Sequence, residues 1–454
     1  MMNLSLRDFV NELDTKGELL RIKKEVDPKF EVAAVLWKLE RGPAVLFENV
    51  KGYSMPAVGN LLNSRKRIAS SLGVEEKDIL KRCVWGLDHP MEPVLVGNAP
   101  HKEIVIKKDI NLLKTFPFLT FCAREEFPTL TTGLVVAKDP ETGVRNVSMN
   151  RFRIKGSDWG GIGFALNHQT MRYLEKCQKL KKGFEVAIAI GNHPSLLIAS
   201  NFYAAQGYDE FGAIGGIFGN PLELVKCETI DVEVPATAEI VIEGEIRPGE
   251  YTEEGLYGEY TGLYVNFGPM PILRVKAISH RKNPIFQALN LSKQIEHLLI
   301  GGTGIEATLF RTIRMAVPSV TAVCVGEDGV CRHHAVIALK EPFLGEGMRA
   351  AFAAFSHCDI LKKVVVVDDD IDVRDPFHVE WAITTRMRAE KDITIIQNVR
   401  AARSDPTAQN GKTIAKTIVI ALKDPQRPPE AYELAEPPRT VKEEVERNWR
   451  DYIQ

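Results

Sequence analysis

Residue types suited to binding a metal ion lie in the middle of this chain. Asn146, His168 and Glu228 offer oxygen, nitrogen and oxygen donors in that order. This hard, mixed set suits Mn²⁺ or Mg²⁺ held partly by a phosphate, whereas zinc would favour cysteine. A histidine on its own more often caps or packs at a helix start, and the residue types alone leave that alternative open for His168.

Arg151 is suited to binding a carboxylate, because its planar fork of donors can form two parallel hydrogen bonds that a lysine cannot copy. It follows Asn146 by five residues, which on an unbroken strand would place the two side chains on opposite faces. The two residues can serve one site only if the strand bulges, or ends, at Met149 and Asn150. The alternative is a surface cation in the segment RNVSMNRFR.

Glu254 and Glu259 flank GLYG, where Gly255 and Gly258 permit tight turns. A carboxyl group that donates a proton near neutral pH needs a raised pKa, so such a donor must be poorly solvated. Solvated loop glutamates are the ordinary alternative, and Glu253 is expected to be one of them.

Three stretches of the chain, which differ in their predicted secondary structure, must position these residues. Residues 1–100 mix helical patterns with short apolar runs and predict an α/β domain. Residues 101–305 hold many short β-rich runs and one amphipathic helix at 168–182, which predicts a split β-barrel or sandwich. In residues 306–454, helices alternate with strands that are apolar on both faces, which predicts an α/β domain. The tail after 425 is predicted to be an extended arm ending in an amphipathic helix.

Bulk properties limit the classes of partner. The 454 residues carry a formal net charge of -2, which gives no electrostatic case for nucleic acid or an anionic membrane. No eighteen apolar residues run together and the first residues lack a signal core, so a cytoplasmic location without membrane spans is expected. The seven scattered cysteines read as reduced thiols. A small-molecule partner is therefore favoured.

Other patterns suggest further sites. Cys324, Cys331, His333 and His334 are potential zinc ligands, but the two cysteines flank GEDG between apolar runs, which predicts a hairpin. The acidic run 368–370 fits either a magnesium site at a strand end or a turn that caps a helix.

Glycine-rich stretches at 158–164, 212–220 and 301–308 invite a nucleotide interpretation. None is followed by the Lys-Ser/Thr of a P-loop, and none lies in the full context of a dinucleotide-binding turn. The sequence also lacks a GxSxG elbow and an HExxH motif, which weakens the usual hydrolase hypotheses.

Taken together, these segments resemble the UbiD family of decarboxylases. The resemblance rests on GVRNVSMNRFRIKG, LNHQTMRYLEK, NPLELVKCETIDVEVPATAEIVIEGEI and EEGLYGEYTG, in this order. LVVAKDPETG, VKAISHRKNPIFQAL and VVVVDDDIDVRDPFHVEWAITTRM extend it over most of the chain. It implies a multidomain α/β protein with a central flavin-binding domain.

The resemblance also implies a cofactor site for prenylated flavin mononucleotide (FMN). A divalent ion, Mn²⁺ or Mg²⁺, would bridge Asn146, His168 and Glu228 to the flavin phosphate, with K⁺ alongside. Cofactor contacts are implied for Ser148, Met149, Asn150, Arg151 and Asn167. Lys416 aligns with a lysine that reaches the phosphate, although the following residues TIVIAL depart from the family pattern and leave Lys412 as the alternative.

In the family, decarboxylation is reversible, non-oxidative and proceeds through a covalent adduct with the flavin. By resemblance, Arg151 binds the substrate carboxylate, Glu254 orients Arg151 and Glu259 protonates the carbon that CO₂ leaves. His297 either lines the substrate pocket or simply packs. The substrate class stays open among aromatic, heteroaromatic and α,β-unsaturated carboxylic acids.

Two alternatives remain at this point: an ordinary FMN-binding oxidoreductase, and a scaffold subunit of a larger decarboxylase. A flavin prenyltransferase is expected to supply the cofactor. The chain is expected to form a homodimer or homohexamer, with Trp449 and Tyr452 of the tail available to pack on another subunit.

Overall fold

The computed structural model describes residues 4–165, 168–408 and 412–453. Asn167, one of the predicted cofactor contacts, lies outside these residues. The described helices are α1 Leu6–Thr15, α2 Glu31–Lys38, α3 Arg65–Leu72, α4 Ile79–Asp88, α5 Leu112–Thr115, α6 Gln169–Lys179, α7 Pro194–Ala199, α8 Glu210–Phe218, α9 Ile295–Ala316, α10 Glu346–His357, α11 Pro376–Arg386, α12 Ala389–Asp392, α13 Arg439–Arg447 and α14 Trp449–Tyr452.

The described strands are β1 Leu19–Ile22, β2 Ala44–Phe47, β3 Ala57–Gly59, β4 Val94–Leu95, β5 Ile104–Ile106, β6 Thr129–Leu130, β7 Leu134–Lys138, β8 Arg145–Met149, β9 Phe152–Ile154, β10 Trp159–Ile162, β11 Phe184–Ile190, β12 Glu223–Lys226, β13 Glu233–Pro235, β14 Ile240–Glu253, β15 Tyr257–Gly258, β16 Tyr264–Val265, β17 Pro269–His280, β18 Phe286–Gln287, β19 Val320–Cys324, β20 His334–Leu339, β21 Lys363–Asp368, β22 Ile393–Arg400 and β23 Thr413–Ala421.

The N-terminal sheet has the order β1-β2-β3-β18. Helix α1 ends at Thr15, and Gly17, at φ +69, turns the chain into β1. Ser5 caps α1 by accepting the backbone N–H of Asp8, and the apolar face of the helix is buried. Strand β18 comes from the middle stretch, so this sheet draws on residues beyond 100.

The central sheet contains nine antiparallel strands in the order β6-β9-β10-β17-β14-β11-β7-β8, with β5 paired to β17. It curls into a half-barrel, and α6 packs Tyr173, Leu174 and Cys177 against its interior. Side chains along β7 alternate between two apolar cores, so both faces of the sheet are covered at this point. The predicted β-rich centre with an inserted helix is confirmed.

The C-terminal sheet has the order β19-β20-β21-β23-β22. In β21, Val364 and Val366 face a core shared with α9 and α10, whereas Val365 and Val367 face α11. This two-sided burial explains the uninterrupted valine run, as expected for a covered sheet. Helix α9 runs across residue 305, where the second domain boundary is predicted.

The patterns that suggested other sites have structural roles. Cys324 and His334 end and begin the antiparallel strands β19 and β20, which form the predicted hairpin. In the described residues, no group of three or more His, Cys, Asp or Glu is placed to hold a metal ion. Asp368 and Asp370 pair with Arg386 of α11, and Asp375 caps that helix, so the capping interpretation of the acidic run holds.

The glycine-rich stretches are packing surfaces. Residues 212–220 fall mainly in α8, where a methyl group on Gly216 would lie 2.3 Å from the carbonyl oxygen of His89 beyond α4. Residues 301–308 lie inside buried α9, and residues 158–164 include β10. The small residues let neighbouring backbones approach closely.

The C-terminal tail projects apolar side chains into solvent. Helices α13 and α14 bury none of their residues, and Trp449 and Tyr452 are 52% and 63% exposed. Among the described residues, no helix is both long enough and apolar enough to cross a membrane.

Candidate active site

A cavity of about 820 Å³ brings most of the predicted site residues together. Strand β8 ends at Met149, so Asn150 and Arg151 leave the regular strand. This strand end allows Arg151 and Asn146 to line the same cavity, as the sequence requires for a shared site. Ser148, Met149 and Asn150 also line it, and the Asn150 amide donates to the Ser148 hydroxyl at 2.6 Å.

Arg151 is fixed from several sides. Its Nε donates to one oxygen of Glu254, which is buried, and the backbone N–H of Phe267 donates to the other oxygen at 3.2 Å. The guanidinium carbon lies 4.7 Å from the ring centre of Tyr257 and 5.1 Å from that of Phe267. Burial alone would lower the pKa of Arg151, but the Glu254 carboxylate more than offsets this and raises it. Arg151 is therefore a permanent, oriented cation.

Glu259 is the second carboxyl group in the cavity. It is 8% exposed, and the neighbouring Tyr260 N–H donates to it at 3.0 Å. Burial raises the pKa of Glu259, while the positive charges of Arg151 and Arg332 oppose the rise without cancelling it. The poorly solvated carboxyl group expected from the sequence is thus present, and it retains a proton at a higher pH than a solvated glutamate.

Asn146 and His168 lie together, but Glu228 does not join them. The carboxylate of Glu228 is held by Lys102 at 2.9 Å and Lys107 at 3.0 Å, and it does not line the cavity. Two lysines already satisfy this charge, which explains its position elsewhere. The structure therefore does not bring Glu228 into the cavity with Asn146 and His168.

Glu210, which the sequence argument missed, lines the same cavity as Asn146 and His168. It is the first residue of α8, it is 4% exposed, and burial raises its pKa to about 8. Its carboxylate accepts the N–H of Val147 at 2.7 Å. The available signal was a glutamate at the start of an otherwise apolar helix, EFGAIGGIF.

The donor chemistry at this place fits a divalent ion. The Asn146 amide nitrogen donates to Thr170 at 2.7 Å, which leaves the amide oxygen as its donor atom for a metal. Burial lowers the pKa of His168, so the imidazole is neutral and competent to bind metal. Oxygen, nitrogen and carboxylate donors match the requirements of Mg²⁺ or Mn²⁺.

His297 and the candidate lysines occupy different surroundings. His297 lines the cavity, its Nδ1 lies 3.0 Å from the Ser292 carbonyl oxygen, and burial lowers its pKa to about 4. Lys416 is buried behind the cavity wall, where its Nζ donates to the Asp359 carbonyl at 2.6 Å. Lys412 is exposed. Neither lysine lines the cavity.

Further arginines give the cavity a positive lining that the sequence argument did not anticipate. They come from segments far apart in the chain, so no local pattern could have gathered them. These residues are Arg172, Arg311, Arg332, Arg400 and Arg403.

Comparison with known proteins identifies the class. Three family models describing the N-terminal, Rift-related and C-terminal domains of 3-octaprenyl-4-hydroxybenzoate carboxy-lyase match residues 10–86, 94–294 and 298–421. The chain is 33% identical over 416 residues to an anhydromevalonate phosphate decarboxylase of Methanothermobacter thermautotrophicus, covering 92% of this chain and 96% of that protein. The chain therefore belongs to the UbiD family and is a carboxy-lyase.

Solved structures agree with this assignment. The UbiD-class enzyme HmfF from Pelotomaculum thermopropionicum in complex with FMN has a TM-score of 0.91 at 40% identity, covering 96% of this chain and 98% of that chain. An evolved dimeric form of HmfF in complex with prFMN has a TM-score of 0.89 at 38% identity, covering 97% and 98%. A vanillic acid decarboxylase from Sedimentibacter hydroxybenzoicus in closed form has a TM-score of 0.91 at 30% identity, covering the full length of both chains.

Proposed function

We propose that this chain catalyses reversible, non-oxidative decarboxylation of an unsaturated carboxylic acid with prenylated FMN. The observation that carries the proposal is the arrangement of Arg151, locked by Glu254, beside the buried carboxyl group of Glu259 in one cavity. An oriented cation next to a carboxyl group whose pKa is raised by burial suits removal of CO₂ followed by protonation. The relative HmfF, which binds FMN and prFMN, supports the cofactor.

In this proposal each residue of the trio has one task. Arg151 binds the substrate carboxylate through its terminal nitrogens, because its Nε is already committed to Glu254. Glu254 is a positioning residue that fixes the plane of the guanidinium group. Glu259 donates the proton to the carbon from which CO₂ departs, and burial of its carboxyl group raises the pKa of Glu259, which favours this role.

The cavity also offers residues for the cofactor. When bound, the prenylated flavin supplies the electron sink that decarboxylation needs and that side chains lack. Asn146, His168 and Glu210, rather than Glu228, would hold the divalent ion. Ser148, Met149 and Asn150 would contact the flavin; the contact of Asn167, the K⁺ ion and a phosphate role for Lys416 rest on family resemblance alone.

The proposed substrate is an aromatic, heteroaromatic or α,β-unsaturated carboxylic acid. Relatives act on vanillic acid and anhydromevalonate phosphate according to their names. The cavity arginines favour anionic substrates and cofactor phosphate. His297 is proposed to contact the part of the substrate away from Arg151.

The first test is the identity of the bound flavin. The protein is produced with and without a co-expressed flavin prenyltransferase, and the released cofactor is weighed by mass spectrometry. One added prenyl unit only on co-expression, together with CO₂ release from a panel that includes vanillic acid and anhydromevalonate phosphate, is the expected result. Unmodified flavin or none in both preparations would favour the oxidoreductase or scaffold alternatives.

We also propose that the tail packs on another copy of this chain. Trp449 and Tyr452, on the last short helix of the tail, are both more than half exposed. A dimeric form of the relative HmfF is also known. Light scattering of the full chain and of a Trp449→Glu variant tests this: a fall in mass for the variant is expected, and equal masses would contradict it.

A further inference from the structure

The position of the Glu259 carboxyl group is set by its backbone. Within the described residues, its only hydrogen bond is to the N–H of Tyr260, its own neighbour. Glu254, at the other end of the same loop, holds Arg151. Whatever fixes the loop 254–259 therefore fixes the proton donor relative to the carboxylate-binding arginine.

Glu125 holds the second half of this loop. One oxygen of its carboxylate accepts the N–H of Gly258 at 3.1 Å. The other accepts the N–H groups of Phe121 at 3.1 Å and Cys122 at 3.2 Å. Glu125 is 6% exposed, so a buried charge ties the residue preceding Glu259 to a different segment of the chain. Hydrogen bonds to a charged acceptor are about twice as strong as neutral ones.

Arg153 holds the first half of the loop. Its Nη1 donates to the carbonyl oxygen of Leu256 at 2.7 Å. The side chain is fully buried, and its Nε and Nη2 have no hydrogen-bond partner among the residues that the structure describes. Burying unsatisfied charged donors is costly, so a purely structural site would be better served by an apolar side chain.

Gly258 leaves no space between the loop and the segment that carries Glu125. A methyl group on Gly258 would lie 2.6 Å from the sulfur of Cys122. The loop is thus pressed against residues 121–125 as well as bonded to them. Arg153 and Glu125 thus hold the backbone at Leu256 and Gly258, on either side of Tyr257. The ring of Tyr257 faces Arg151.

We propose that Glu125 and Arg153 are positioning residues that clamp the loop 254–259 and thereby align the Glu259 carboxyl group with a substrate held by Arg151. The clamp is a property of the fold, whereas its catalytic consequence rests on the proposed decarboxylase function. Neither residue touches the reacting atoms. Loosening the clamp should slow proton delivery more than it weakens binding, because Arg151 retains Glu254 and its two flanking rings.

The test compares Glu125→Gln and Arg153→Lys with a matched control, Glu126→Gln, at the exposed neighbouring position. Glutamine keeps the shape of the side chain but has only one accepting oxygen, so it cannot serve the N–H groups on both sides. Hydrogen-deuterium exchange of the 254–263 peptide in the full-length protein should accelerate roughly tenfold in Glu125→Gln. Arg153→Lys keeps one donor for Leu256 and should show a smaller change, whereas Glu126→Gln should match the wild type.

The kinetic arm uses the acid that the wild-type holoenzyme decarboxylates fastest in the panel above. Glu125→Gln should lower kcat roughly tenfold, leave KM within about twofold, and increase the solvent deuterium isotope effect on kcat. Exchange equal to that of Glu126→Gln, or faster exchange with unchanged kcat, would overturn the proposal. If the wild type decarboxylates no acid, the proposed function fails, and the exchange experiment alone still decides whether the clamp exists.

Should Glu125→Gln not fold, Arg153→Met provides the same two measurements. Methionine is apolar and fills much of the space of arginine, but it cannot donate to the carbonyl oxygen of Leu256. Wild-type exchange and wild-type kcat in that variant would overturn the proposal, whereas faster exchange with lower kcat would support it.

Discussion

Gly163 provides a direct way to displace Arg151 without touching its partners. A Cβ atom at position 163 would lie 2.7 Å from the guanidinium carbon of Arg151, where ordinary contacts begin near 3.4 Å. Gly163 does not have a positive φ, so alanine imposes no backbone strain there. The hydrogen bond to Glu254 and the rings of Tyr257 and Phe267 prevent the guanidinium group from simply moving aside.

The expected loss follows from this displacement. In Gly163→Ala the guanidinium group must move by about 0.7 Å, and misplacements near 1 Å can cost on the order of 100-fold in rate. We therefore expect kcat/KM to fall by roughly 30- to 100-fold, or about 2–3 kcal/mol in transition-state stabilisation. The free energy of unfolding should change by less than about 2 kcal/mol, because the strain is confined to one side chain.

The assay measures CO₂ release as a function of acid concentration, together with denaturant unfolding of the same preparations. Gly97→Ala is the matched control, because a Cβ atom there meets no atom within 4 Å. Gly163→Ala with wild-type kcat/KM would refute the assignment of Arg151 as the residue that binds the carboxylate. Equal losses in both variants would also contradict it.

Three further predictions concern the remaining groups. Because Glu259 must be protonated to act and burial raises its pKa, a plot of kcat against pH should fall with a midpoint above the ordinary glutamate pKa of about 4.3. A midpoint at or below that value would argue against the proton-donor role, and so would the same fall in Glu259→Gln. Glu210→Gln should lose bound Mn²⁺ in metal analysis while Glu228→Gln, which disturbs only two lysine contacts, should keep it; the opposite result would restore Glu228 as the ligand. Lys416→Met removes the hydrogen bond to Asp359 and should lower the free energy of unfolding by about 1–3 kcal/mol, while the flavin content stays unchanged. Loss of flavin without loss of stability would instead support a role of Lys416 at the flavin phosphate.

The sequence alone was enough to predict the local structure wherever a pattern of residues is compatible with only one arrangement of the backbone. The valine run of β21 can be buried on both faces only in a covered sheet. Asp375 followed by Pro376 predicts a capped helix start, and the structure has one there. The five-residue separation of Asn146 and Arg151 required a break in the strand, and β8 does end at Met149.

Local pattern could not decide which carboxylate lines the cavity with Asn146 and His168. Glu228 and Glu210 are both plausible ligands in the sequence, and they are only 18 positions apart along the chain. The contacts that separate them come from elsewhere: Lys102 and Lys107 hold Glu228, whereas α8 points Glu210 into the cavity. Such pairings span more than a hundred residues and leave no trace in a single sequence.

By itself, the sequence predicted a multidomain α/β fold from residue type and periodicity, and the resemblance of its motifs pointed to the family and to Arg151, Glu254 and Glu259 as candidate site residues. Only the tertiary structure decided which charges meet. It placed Lys416 behind Asp359, gathered separate arginines around one cavity, and set Glu125 and Arg153 against the segment 254–259. Burial and charge pairing depend on distances in space, and these distances are fixed only when the sheets and helices pack together.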